Sequence, residues 1–335
     1  MSETLLASIW FFLWGLLWAI YFSLDGFDLG AGILARFLPQ EEQKKLISSL
    51  GPFWDGNEVW LITAGGVTFA AFPTLYAAMF SSFYLPLIVI LLSLVFRAVA
   101  IEFYRQSEET VWQNAWASVL SAGSFLVALL FGVAFGNIFQ GLLLDNTGYH
   151  GSIFSLLNPY GILTGILFVL IFTYNGSLWL SYKMGNKKGF AIAKITYLPL
   201  FLVAVLFLIS TAFTTNLWSN FFKMPLLFAV PLLAVISLLA TRVLLGRRQA
   251  AVSLFAGSLA VFSTVVTSII GLFPNMFPSK INPAYSLTAF NASSSPYTLK
   301  IMLMVTVIFL PVVLVYQIWH YKLFLAAGAG EEISY

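Results

Sequence analysis

Nine long apolar runs constrain this chain more than any other feature. They cover residues 5–35, 57–78, 80–105, 112–138, 159–182, 190–215, 224–246, 249–273 and 298–325. About twenty apolar residues in a helix cross a hydrocarbon core of roughly 30 Å. In lipid every backbone N–H and C=O must be satisfied within the protein, so such runs are helices unless they close into a barrel. Barrel strands alternate apolar and polar positions over about ten residues, and these runs are continuous. The expected fold class is all-α, a polytopic membrane protein of about nine transmembrane helices. Turn-rich stretches such as "DNTGYHGSIFSLLNP" and "FPNMFPSKINPAYSLTAFNASSSPY" separate the runs. Pro274, Pro278, Pro283 and Pro296 in the second resist a continuing helix. No length remains for a soluble domain, so residues 1–335 read as a single integral-membrane domain. The run after "MSET" is too long for a signal segment and reads as a retained span.

Composition agrees. Only 9% of residues are charged, against about 25% in soluble domains, which is too little polar surface to wet a globule. No cysteine is present, so disulfides and cysteine-ligated metals are excluded. The two histidines, His150 and His320, fall on opposite sides of the membrane and cannot share a metal. A single His with a Met or carboxylate can hold haem iron, but neither position lies in a deep apolar stretch, and both read as interfacial. Phosphate-binding loops, hydrolytic triads and basic nucleic-acid-binding stretches are absent. Asn291-Ala-Ser is a bare glycosylation sequon.

Basic residues set orientation, because basic loops stay cytoplasmic. With nine spans the loops alternate sides. Arg36, Lys44, Lys45, Arg105, Lys183, Lys187, Lys188, Lys194, Arg242, Arg247, Arg248 and Lys322 gather on one side. Only Lys223, Lys280 and Lys300 lie on the other, and Arg97 falls within a span. The expected topology puts the N-terminus outside and the C-terminus in the cytoplasm. Glycines four residues apart recur at Gly26/Gly30, Gly132/Gly136 and Gly161/Gly165. Such pairs let helices approach closely in lipid, within the chain in the simpler reading, against a partner subunit in the other.

Charge inside the spans is concentrated in the first third of the chain. Asp25 and Asp28 lie about 30 Å along the first helix at 1.5 Å per residue, near its cytoplasmic end. Three residues apart, they are neighbours on one side, continuing the stripe Trp10, Trp14, Trp18. The second span starts "FWDGNEVW", placing Asp55 and Glu58 at that depth, and the third ends "FRAVAIEFYR", returning Arg97 and Glu102 to it. Intramembrane charges are costly and tend to face a bundle interior or a water path. Interfacial anchoring with one internal ion pair is the bland reading, Arg97 neutralising an aspartate such as Asp28. Convergence of six ionisable residues from three helices favours handling of protons or cations. A proton- or cation-coupled secondary transporter is the rival function, although transporters of that kind show broken helices in two matching halves.

"DGFDLGAGIL" and "GPFWDGNEVWLITAGGVTFAAFPTLYAAMFSSFY" closely resemble subunit II of the cytochrome bd-type quinol oxidases of bacteria and archaea. The likeness continues through "GVAFGNIFQG", "LLNPYGIL" and "MFPSKINPAYSLTAFNASSS", over nearly the whole chain. It implies nine spans packed as two helix bundles plus a peripheral helix, in a heterodimer with the haem-bearing subunit I. It implies a complex that oxidises quinol and reduces dioxygen to water, with oxygen-consuming protons entering from the cytoplasm. Two b-type haems and haem d are implied in subunit I and none on this chain. A structural quinone in subunit II and a small third subunit are left open by the likeness. Membrane lipid and quinol are the other implied partners, and nucleic acid is not. The likeness carries a proton-uptake role to Asp25, Asp28 and Asp55. Reasoning from depth adds Glu58 to that path and Arg97 and Glu102 as ion-pair support.

Overall fold

A computed structural model of the chain describes residues 2–185 and 187–326. The stretch 327–335, which holds the C-terminus expected in the cytoplasm, lies outside the described residues. The first helix, α1 (Glu3–Ala35), has 33 residues, so it is about 50 Å long. It is the central post: residues from Leu6 to Ala35 are buried on nearly every turn. After it comes α2 (Gln40–Leu50), a short amphipathic helix that no apolar run predicted. Its Leu46, Ile47 and Leu50 are buried while Lys44 and Lys45 face out.

The expected second span is two helices, α3 (Trp54–Ala71) and α4 (Pro73–Ser82), bent by 120°. Pro73 is the cause. Its ring removes an N–H and displaces the residue before it from the helical region, and Phe72 sits at φ −136°, ψ 63°. The Ala71 carbonyl beside the break accepts the Ser294 N–H at 2.8 Å instead. Then follow α5 (Tyr84–Phe103) and α6 (Thr110–Gln140).

A hairpin of β1 (Leu144–Asp145) and β2 (Gly148–Tyr149) and the short α7 (Ile153–Leu156) lead into α8 (Pro159–Met184) and α9 (Lys187–Thr214). Next come α10 (Ser219–Lys223), α11 (Ala229–Gly246) and α12 (Ala250–Leu272). A second small hairpin, β3 (Asn275–Phe277) with β4 (Leu287–Thr288), precedes α13 (Pro296–Ala326). Among the described residues, eight helices are long and apolar enough to cross a membrane, or nine with the bent pair taken as one span. The long helices fall into two groups, α1, α3, α5, α6 and α8, α9, α11, α12, joined where α1 meets α8 and α12 and where α6 meets α8. The last helix lies outside both and packs mainly on α1.

Glycine makes the α1–α8 and α6–α8 joints. A Cβ on Gly30 would stand 1.7 Å from the Phe172 carbonyl oxygen, so α1 and α8 touch backbone to backbone. Gly132 faces Gly165, where a Cβ would come within 2.6 Å of Cα, and Gly136 faces Gly161 at 3.0 Å. The spaced glycines foreseen in the sequence thus pack helices of this chain against one another.

One end of the bundle gathers the basic loops and α2, tied by Lys44–Glu108 (3.3 Å) and Lys188–Glu42 (2.8 Å). The opposite end carries both hairpins, laced by the Leu142 N–H on the Pro278 carbonyl and the Lys280 N–H on that of Leu142. There the Thr147 hydroxyl, then the His150 ring, bond to the Asp145 carboxylate and lower its pKa to about 2.

Candidate functional site

The buried ionisable groups come from α1, α3 and α5. Arg97 of α5 is fully enclosed and forks: one guanidinium nitrogen bonds Asp25 of α1 at 3.0 Å, the other Glu58 of α3 at 2.5 Å. Asp25 is as deeply enclosed as Arg97, whereas the Glu58 side chain keeps 18% of its exposure. Room for the guanidinium stem comes from Gly123 of α6, where a Cβ would lie 2.9 Å from the Ser93 carbonyl and 3.7 Å from Arg97 Cβ.

Asp28 has a different partner. Its Oδ2 accepts from Asn57 Nδ2 at 2.6 Å, and no ion pair to Arg97 forms. This corrects the pairing of Arg97 with Asp28 considered from the sequence. Three residues are 4.5 Å along a helix, enough to carry Asp28 past Arg97 to the level where Asn57 projects. Asn57 Nδ2 also lies 3.4 Å from the Leu24 carbonyl, and its Oδ1 accepts from Tyr321 of α13 at 2.7 Å.

Asp55 and Glu102 are not part of the enclosed set. Asp55 is exposed in the first turn of α3, where its carboxylate accepts the Gly56 N–H at 2.6 Å. Glu102 is also exposed and makes no ion pair among the described residues, which corrects its expected role as support for the acids. It stands five residues after Arg97, about 140° around the helix, and so faces away. The sequence reading missed Asn57 and Tyr321. Asn57 lies inside the conspicuous "WDGNEVW" but carries no charge, and nothing in sequence links it to a tyrosine on the last helix.

The tryptophan stripe of α1 leads to the same place. Trp10 donates to the Leu299 carbonyl and Trp14 to Thr68 Oγ1, both at 2.9 Å. The Trp18 indole N–H, the Tyr21 hydroxyl, Asp25 Oδ2 and Asp28 Oδ1 are buried with no hydrogen-bond partner among the described residues.

A second feature is an apolar cavity of about 90 Å³ between α8, α9, α11 and α12, lined by Leu167, Leu200, Phe207 and Leu238 among others. The hydroxyls in its wall, Thr211, Thr264, Thr267 and Ser268, each donate to a carbonyl of the preceding turn.

A family model for the cytochrome bd terminal oxidase subunit II matches residues 6–324. The chain belongs to that family. It is 35% identical to the cytochrome bd-I ubiquinol oxidase subunit 2 of Escherichia coli K12, over 97% of this chain and 96% of that protein. It is 33% identical to the cytochrome bd ubiquinol oxidase subunit 2 of Bacillus subtilis 168, over 98% of each. The fold matches a chain of the bd oxidase from Geobacillus thermodenitrificans with a TM-score of 0.78 at 16% identity, covering 96% of this chain and 99% of that one. As a subunit II, this chain is part of a quinol-oxidising, oxygen-reducing terminal oxidase. Its partner is subunit I, and it is a multi-pass protein of a bacterial cell membrane.

Proposed function

We propose that this subunit supports subunit I and supplies part of the path by which protons enter the oxidase from the cytoplasm. The observation that carries the reading is the charge balance of the enclosed cluster. Asp25, Asp28 and Glu58 lie near one enclosed cation, Arg97, which pairs with Asp25 and Glu58 only. Ionising all three carboxyls would leave two negative charges uncompensated in a dry interior, which is strongly unfavourable. A site of this composition holds protons and exchanges them. Exposure falls from Asp55, which is open, through Glu58 at 18%, to Asp25 at zero. That order suits entry at Asp55 and transfer inward.

The face for subunit I is proposed as α3, α5 and α13. A Cβ added at Gly65 or Gly66 of α3 would meet no described atom beyond its own helix within 4 Å, and no residue in the most apolar stretch of α13 is buried. The same face bears Asp55 and part of Glu58, which lipid would not tolerate. The opposite outer face, α9 and α11, exposes Leu198, Leu202, Leu232 and Ile236 and suits lipid.

Haems b and d are assigned to subunit I. His150 is held in its loop by Thr147 at 2.9 Å and by Asp145, and His320 is wedged among Phe53, Tyr316 and Phe324. Neither has the enclosed apolar slot a haem needs. The apolar cavity suits an isoprenoid tail such as that of a structural quinone. Its wall hydroxyls are already donating to carbonyls, so they offer no donor to a quinone head.

In the purified complex, Asp25→Asn or Asp55→Asn is expected to slow quinol-driven oxygen uptake per haem and proton uptake. Haem content should stay near the parent's, as it should when both histidines are replaced. Full turnover in both aspartate variants would leave these acids as anchors and end the proton reading. The orientation, with the basic end cytoplasmic, rests on the asymmetry of Lys and Arg. Reporter fusions after Lys45 and Arg248 are expected to report cytoplasm, and those within 145–155 or 280–290 the outside. One reversal would overturn it.

A further inference from the structure

We infer that Asn57 is a positioning residue: its amide fixes the Asp28 carboxyl and ties it to Tyr321, so that the last helix holds one acid of the cluster in place. The inference rests on the proton-uptake reading and adds to it two residues without charge.

The amide is fully committed. Its nitrogen faces two acceptors, Asp28 Oδ2 at 2.6 Å and the Leu24 carbonyl at 3.4 Å, and its oxygen accepts the Tyr321 hydroxyl at 2.7 Å. Turning the amide over would set its oxygen against both acceptors, so its orientation is pinned by the network. Asn57 is completely buried, where an unmatched amide is costly.

The Tyr321 ring is in turn seated against Phe53 at 4.9 Å between centroids. Helix α13 is anchored near the same point by the Tyr182 hydroxyl on the Leu325 carbonyl (3.1 Å) and Lys183 Nζ on that of Phe324 (2.7 Å). Its middle has no such support, with none of its most apolar window buried. The basic end of α13 is therefore a fixed platform, and Asn57 is the strut from it to Asp28.

A side-chain amide donates and accepts but does not pass a proton through, as a carboxyl or hydroxyl does. Asn57 thus holds Asp28 without conducting to it from Tyr321. The other carboxyl oxygen, Asp28 Oδ1, has no partner among the described residues and is the one left for exchange.

The test uses the intact complex with Tyr321→Phe, which keeps the ring packing and removes one hydroxyl, and Asn57→Leu, which removes the amide. The readouts are oxygen uptake per haem and its ratio in H2O and D2O. Losing one hydrogen bond of ordinary worth is expected to slow Tyr321→Phe by roughly 2- to 10-fold. The D2O effect should rise as proton delivery becomes more limiting, and Asn57→Leu should be slower still. If Asn57→Leu does not assemble, Tyr321→Phe decides alone. Parental turnover and isotope ratio in Tyr321→Phe would overturn the inference, even with reduced yield, because the link would then be structural only. If Asp25→Asn and Asp55→Asn are slowed while Tyr321→Phe is not, the strut fails and the proton path stands. Full turnover in those two aspartate variants would remove the path itself.

Discussion

Replacing Arg97 with Leu is expected to abolish assembly of the oxidase, with almost no haem-bearing complex recovered from the membrane. The guanidinium is the only cation enclosed with Asp25 and Glu58 among the described residues, and it bonds both. Removing one side of a buried ion pair typically costs about 3–5 kcal/mol, since the charge left behind has no compensation. Membrane proteins have stability of that order to lose. Arg97→Lys keeps the charge but not the fork that reaches two carboxylates, so an intermediate yield is expected. The pairing makes a sharper demand on double variants. Asp25→Asn should partly restore assembly of Arg97→Leu by removing an orphaned charge, and Asp28→Asn should restore less, because Asp28 is bonded to Asn57. Normal yield of Arg97→Leu, or better rescue by Asp28→Asn, would show that the cluster is not held together this way.

The second large effect concerns backbone contact. Gly30→Leu is expected to prevent stable folding of the subunit, and even Gly30→Ala to lower its thermal stability. A Cβ at this position would stand 1.7 Å from the Phe172 carbonyl oxygen and 2.9 Å from the Gly176 nitrogen. Flexible side chains can move aside, whereas two helix backbones must separate. Overpacking against movable groups costs about 1–3 kcal/mol, and this contact should reach or exceed the top of that range. Gly65→Leu is the comparison. Among the described residues beyond its own helix, nothing lies within 4 Å of the added Cβ, so the subunit alone should melt like the parent. If α3 faces subunit I, the same substitution should reduce recovery of the two subunits together. Unchanged melting of Gly30→Leu would refute the close α1–α8 joint. Normal recovery of Gly65→Leu with subunit I would move the interface elsewhere.

Much of the span pattern was legible because lipid imposes a simple rule on a chain. A run such as 249–273 has to be a helix, and the helix observed there is α12, Ala250–Leu272. Pro73 was visible too, but its consequence was not. A proline can kink a span or end it, and at the 120° turn the Ala71 carbonyl accepts the N–H of Ser294, from a loop more than two hundred residues away. The amphipathic α2 escaped notice because its apolar face is only Leu46, Ile47 and Leu50, too little for a span.

Within the cluster, Asp25, Asp28, Glu58 and Arg97 were identifiable from sequence. Charges are so disfavoured in hydrocarbon that each one present calls for an explanation, and the depth of each follows from counting along its helix. Which acid meets which partner was not identifiable, since rotation of one helix against another is set by side-chain and backbone packing. Gly32 of α1 against Ser124 of α6, and Gly123 of α6 against Ser93 of α5, let α6 hold α1 and α5 where Arg97 reaches Asp25 and not Asp28. The same packing turns Glu102 outward and brings Tyr321 to Asn57. By itself the sequence determined that this chain lies in a membrane as helices and that its acids gather at one depth, because both follow from the local cost of polar groups in lipid. Only the tertiary structure decided the ion pairs and the Asp28–Asn57–Tyr321 strut, because those depend on contacts between helices distant in sequence.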